Sequence, residues 1–176
     1  MEKKSIEVVI VSAIRTPIGR YKGSLKEMKS DELGTLVIDE VLKKSKFFKD
    51  EIDEVIMGQV LTAGCGQNPA RQAAINAGIP ISKPSYIVNQ VCGSGLRAVI
   101  SGYQSIKLGE ATSVISGGQE SMSKAPHSIL FDDEKKIKKD ELINTMDNDG
   151  LIDAFNNYHM GVTAENVAKK FDITRF

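Results

Sequence analysis

The sequence is marked first by what it lacks. It has no net charge, 23 lysines and arginines balancing 23 aspartates and glutamates. No global field therefore draws the chain to nucleic acid or a membrane surface, and an anionic ligand must meet local positive groups. No apolar run approaches the roughly 20 residues of a membrane span. The run Val8 to Val11 soon meets Arg15 and is too short for a secretory signal. Only two cysteines occur, Cys65 and Cys92. Without an export signal they read as reduced thiols of a cytoplasmic protein, not as a disulfide. Metal-ligand clusters, phosphate loops, dinucleotide fingerprints, internal repeats and low-complexity tracts are all missing.

What is present is the composition of an ordinary globular domain: 176 residues, 41% hydrophobic and 26% charged, enough to bury a core without cross-links. Up to residue 118, short β-branched runs alternate with helical patterns, the sign of a parallel sheet built from βα units. Strands are expected at Glu7 to Ser12, Glu54 to Val60, Ser85 to Val91 and Thr112 to Ser116. A helix is expected over Asp31 to Lys44 with Ser30 as its cap. Asp31 and Glu32 suit its positive end, and Lys43 and Lys44 its negative end. A second should start at Pro69 and end at Gly78, and a third should open at Gly93-Ser94-Gly95 and stop at Gly109. From residue 119 to 158 the pattern is loop-like and includes the charged run Asp132 to Lys136; Thr163 to Phe171 then reads as a short helix. This divides the chain into an α/β unit, 1–118, and a loop region, 119–176, of the length expected for a lid or an assembly element.

Cys92 falls between a strand and a glycine-rich helix start. The exposed N–H groups and positive dipole end of such a helix stabilise a thiolate, the reactive form. Gly93 and Gly95 leave room for a bulky thioester. On spacing alone, a nucleophile and a small buried structural thiol both fit. Cys65, between Gly64 and Gly66, has no adjacent helix start and reads as incidental. His127 reads as structural; His159 and Met160 fit either a site or plain packing.

The segment Asn89-Gln90-Val91-Cys92-Gly93-Ser94-Gly95-Leu96-Arg97-Ala98 resembles the acyl-accepting cysteine motif of the thiolase family, in its biosynthetic acetyl-CoA acetyltransferase branch. Four other stretches match in the family's order: Ser12 to Gly19, Gly66 to Ala73, Gly117 to Ser123, and Tyr158-His159-Met160-Gly161 with Thr163 to Asn166. The resemblance implies a thiolase-like N-terminal βαβαβαβ unit with a central, mostly parallel sheet. It also implies an enzyme in which Cys92 takes an acetyl group from one acetyl-CoA and passes it to a second, giving acetoacetyl-CoA, with thiolysis as the reverse. Coenzyme A thioesters would be substrates, with no resident cofactor and no metal.

By the same resemblance Leu151, His159 and Met160 line the pantetheine and acyl pocket, the loop from about residue 119 covers the site, and subunits pair as dimers or tetramers. Residues 67 to 71 would lie near the subunit interface. The family's GHP-type histidine motif, its CxGGG-type second cysteine and the last strand of the first unit do not occur here. The expectation is therefore an incomplete fold, from a truncated product or a split subunit, inactive until a separate C-terminal half is supplied. Alternatives are a thiolase of longer 3-ketoacyl-CoA substrates and a non-catalytic assembly fragment.

Overall fold

The computed structural model describes residues 6–129 and 141–175; the charged run at 132–136 lies outside them. The chain forms two compact units, Met1–Lys124 and Ala125–Phe176.

The first unit is a three-stranded parallel sheet with helices on both faces. Strand β1 (Glu54–Gly58) lies between β2 (Ser85–Val88) and β3 (Val114–Gly118), in register Gly58 with Val88 and Gly118. The strands are joined by α2 (Pro69–Asn76) and α3 (Ser94–Leu108), and α1 (Ser30–Ser45) precedes them. Successive side chains of β1 point to opposite faces. Val55 and Met57 join Ile38 and Leu42 of α1 and Ala70, Ala73 and Ala74 of α2 in the main core. Ile56, fully buried, and Gly58 face α3. Fully burying a side chain such as Ile56 contributes about 1.5–3 kcal/mol, so this two-sided strand anchors the unit.

The helix ends follow from local chemistry. Asn68, at φ +44°, caps α2 by accepting the Arg71 N–H at 3.1 Å, and its amide donates to the Ser85 carbonyl at 2.8 Å. Gly109 ends α3 at φ +77°, a conformation that costs glycine nothing. Helix α1 is capped differently from the sequence expectation. The Glu32 carboxylate accepts the Lys29 N–H at 2.7 Å, and Ser30 is buried, its hydroxyl accepting from Gln59 Nε2 at 3.0 Å. Asp53 stitches the sheet at its other end, accepting the Thr112 N–H and hydroxyl at 2.8 and 2.7 Å and the Ser113 N–H at 3.3 Å.

The expected first strand at Glu7 to Ser12 does not form. Among the described residues the segment has no strand partner, and Val9, Ile10 and Val11 are exposed. It is held at two points, where Lys107 donates to the Ile6 carbonyl and Lys44 to the Ala13 carbonyl. Between it and β3 lies a cavity of about 1120 Å³, walled by apolar side chains that include Val37 and Val41 of α1 and Val99 and Tyr103 of α3. A strand forms only with a neighbour about 4.8 Å away, and this gap keeps the segment from the outer edge of β3.

The second unit contains β4 (His127–Ser128) paired antiparallel with β5 (Ile143–Asn144), a π-helical turn at Asp147–Leu151 and α4 (Met160–Lys170). The stretch expected to be loop-like thus carries short elements, and α4 begins three residues before the sequence pattern suggested. None of the helices among the described residues is long and apolar enough to cross a membrane.

Candidate active site

Cys92 is exposed and sits on the turn between β2 and α3. That turn satisfies its own backbone. The Gln90 N–H donates to Ser94 Oγ at 2.9 Å, and the Gln90 carbonyl accepts from the Gly93 N–H at 3.0 Å. The Val91 N–H donates to Asn89 Oδ1 at 2.9 Å, while the Val91 carbonyl accepts from the Ser94 N–H at 3.1 Å and the Ser94 hydroxyl at 2.5 Å. All four backbone groups of the two residues before Cys92 are therefore paired within the turn. Val91 has φ +47°. A β-branched side chain in that region is strained by about 1–3 kcal/mol, so the surrounding bonds must hold it there.

The start of α3 is seated on the sheet by three glycines. A Cβ built on Gly58 would lie within 2.5 Å of the Ser94 carbonyl oxygen and the Gly95 amide nitrogen, and one on Gly118 would meet Gly95 Cα at 3.4 Å. The C-terminal ends of β1 and β3 thus run directly beneath the first turn of the helix that follows Cys92. This is the rim where parallel sheets bind ligands, and the first N–H groups of α3 are directed there. Arg97, one turn into α3, donates through Nε to Gln90 Oε1 at 2.7 Å, adding a positive charge beside the turn.

Behind this rim lies a polar cluster that the sequence reading missed. Gln59 and Gln119 are buried. Gln119 donates from Nε2 to Gln59 Oε1 at 2.9 Å, and its backbone N–H donates to the Gly58 carbonyl at the same distance. Gln59 Nε2 donates to the Ser30 hydroxyl and, at 2.9 Å, to the Leu61 carbonyl. Glu120 accepts the Val60 N–H at 2.8 Å and the Leu61 N–H at 3.3 Å, and burial pushes its carboxyl up from the ordinary value. The signal for this cluster was present: β1 and β3 both run into a Gly-Gln pair, 58–59 and 118–119, at matching register. Cys65 belongs to the same cluster. Half-buried, it has Sγ 3.8 Å from Ser30 Oγ and 3.6 Å from Gln59 Nε2, a place in the structure that its glycine neighbours did not signal.

Leu151, His159 and Met160 belong to the second unit. A backbone bridge between Ile152 and His159 brings the end of the π-helical turn beside the start of α4, so the three share one neighbourhood. His159 Nδ1 accepts the Gly161 N–H at 3.0 Å and caps α4; the ring thus holds its Nδ1 lone pair toward the backbone. Met160 is exposed, and Leu151 is half-buried. Arg71 donates to the carbonyls of Lys83 and Ile81, clamping the loop after α2.

Comparison with known proteins agrees with this architecture. The family described as "Thiolase, N-terminal domain" matches residues 8–176. The chain is 51% identical over 175 residues to the cytosolic acetyl-CoA acetyltransferase of Rattus norvegicus, covering 99% of this chain and 44% of that protein. It is 52% identical over 170 residues to the acetyl-CoA acetyltransferase of Cupriavidus necator, covering 96% and 43%. A crystal structure of Acat5 thiolase from Ascaris suum in complex with coenzyme A superposes with TM-score 0.86 at 37% identity, over 94% of this chain and 43% of that one. The chain thus spans under half the length of the curated relatives it matches.

Proposed function

The chain belongs to the thiolase family, and on that premise we propose that Cys92 is the acyl-accepting nucleophile of a coenzyme A thioester acyltransferase, with acetyl-CoA as donor. The observation that carries this reading is the exposed Cys92 on a strained, hydrogen-bonded turn at the start of α3. Its thiolate attacks the thioester carbonyl carbon; a new C–S bond forms, the bond to the coenzyme A sulfur breaks, and coenzyme A leaves as the thiolate. The helix start favours negative charge at the rim where both the sulfur and the developing oxyanion lie.

In the second step the α-carbon of another acetyl-CoA loses a proton and takes the acetyl group. Acetoacetyl-CoA forms and the Cys92 thiolate is released. That proton needs a base. Residues 1–176 hold neither a GHP-type nor a CxGGG-type motif, so we assign to them the acyl-accepting half of the reaction. Leu151, His159 and Met160 are assigned to the lining of the acyl and pantetheine pocket, and the region after residue 118 to cover and subunit assembly.

The test is acetyl transfer itself. The chain is incubated with acetyl-CoA, quenched in acid and mapped by mass spectrometry, alone and with the C-terminal half of a relative supplied separately. An acetyl group is expected on Cys92 and not in Cys92→Ser, and thiolysis of acetoacetyl-CoA only in the mixture. Transfer to Cys65, or no acetyl-Cys92 in either sample, overturns the assignment.

A further inference from the structure

We propose that Ser94 is a positioning residue for Cys92: its hydroxyl holds the left-handed turn at Val91 that presents the sulfur at the start of α3. The proposal rests on the reading of Cys92 as the acyl acceptor.

Ser94 is buried, and its hydroxyl spans the turn, accepting the Gln90 N–H at 2.9 Å and donating to the Val91 carbonyl at 2.5 Å. These two bonds flank Val91, whose φ of +47° is unfavourable for a β-branched side chain. A hydroxyl is the smallest group that both accepts and donates, and here one hydroxyl does both across a single turn. Without the hydroxyl the Gln90 N–H loses its acceptor, and the Val91 carbonyl keeps only the Ser94 amide. Relaxation of Val91 to negative φ then unwinds the turn and moves Cys92 away from the helix N–H groups. Local strain held by surrounding bonds is characteristic of reactive sites.

The strain supplies a specific test. Glycine adopts φ +47° at no steric cost, so Val91→Gly should make the Ser94 hydroxyl dispensable. The readout is iodoacetamide labelling of the full chain, with Cys65 as internal reference, by quantitative mass spectrometry. In Ser94→Ala the Cys92 to Cys65 ratio should fall on the order of tenfold, the effect of losing the two part-buried hydrogen bonds of the hydroxyl. In Val91→Gly/Ser94→Ala it should return to within about twofold of wild type. A purely structural contribution of Ser94 would not be reversed by a second substitution at 91.

A Ser94→Ala ratio equal to wild type, or a fall that Val91→Gly does not reverse, overturns the proposal. Should Ser94→Ala be unfolded by circular dichroism, hydrogen exchange of the wild-type Gln90 amide decides: protection supports the bond to Ser94, and exchange as fast as that of an unstructured peptide amide overturns it. Because alkylation needs no acyl-CoA, failure here is distinct from failure of the acetyl-transfer test.

Discussion

Gly58 offers a sharp check on how α3 is seated. Its φ is not positive, so alanine is allowed by the backbone at that position; only space forbids it. The added Cβ would lie 2.5 Å from Gly95 N and Ser94 O, and closer still to the Ser94 carbonyl carbon, where ordinary contact begins at 3.4 Å. All three obstacles are backbone, so the start of α3 must retreat from the sheet by about 1 Å, an overpacking that costs about 1–3 kcal/mol. Gly117, one residue before the strand end opposite, is the matched control. Its Cβ would find only the Met57 thioether, at 3.9 Å and 4.0 Å, and Gly117→Ala should be neutral or stabilise by up to about 1 kcal/mol through the unfolded chain. In urea, with a slope of about 2 kcal/mol per molar, the two midpoints should separate by about 1 M. Cys92 alkylation, read against Cys65, should fall in Gly58→Ala and not in Gly117→Ala. Equal midpoints and equal alkylation would refute the claim that β1 supports the reactive turn by close approach.

Further tests address the polar groups. Asp53, held at about 2 by the Thr112 N–H and hydroxyl ahead of the other bonds, has its folded pKa depressed below the ordinary 3.8. Its stability is thus present above 3.8 and lost as pH falls through about 2. After discounting for its partial exposure, Asp53→Asn should cost about 1 kcal/mol at neutral pH and less at acid pH, by urea unfolding. Glu120 has the opposite sign: burial raises its folded pKa above 4.5, so the stability linked to its proton is complete below that value and disappears as pH rises through the folded pKa. Glu120→Gln should therefore gain on wild type between acid and neutral pH; a constant difference in urea midpoint would contradict this. Asn68→Ala should cost about 1 kcal/mol through loss of the α2 cap and force a non-glycine, non-asparagine residue to hold φ +44°, while Asn68→Gly should recover part of that loss in thermal unfolding.

The elements that were legible in the sequence are those whose causes are local. The apolar spacing of α1, proline at the start of α2, and glycines after α2 and α3 each impose their structure on nearby residues, and these helices appear within a few residues of their expected bounds. Glu7 to Ser12 was misread because a run of β-branched residues signals apolar burial, while a strand also needs a partner at its edge. Cys92 was found from its position and motif. The conformation that presents it was not, since valine is among the last residues expected at positive φ. The Gln59–Gln119 pair was overlooked because glutamine is usually exposed; only register, which pairs Gly58 with Gly118, reveals that the two face each other.

The seating of the Cys92 turn also bears on when reactivity arises during folding. The turn's own hydrogen bonds join residues no more than a few positions apart, yet its foundation comes from Gly58 and Gly118, on either side in sequence. Local bonds close early, whereas parallel strand pairing across intervening helices closes late. A nascent chain would hence carry its cysteine on an unsupported loop, unselective and unremarkable among thiols, until β3 docks. Reactivity of this residue is then a reporter of the assembled three-stranded sheet.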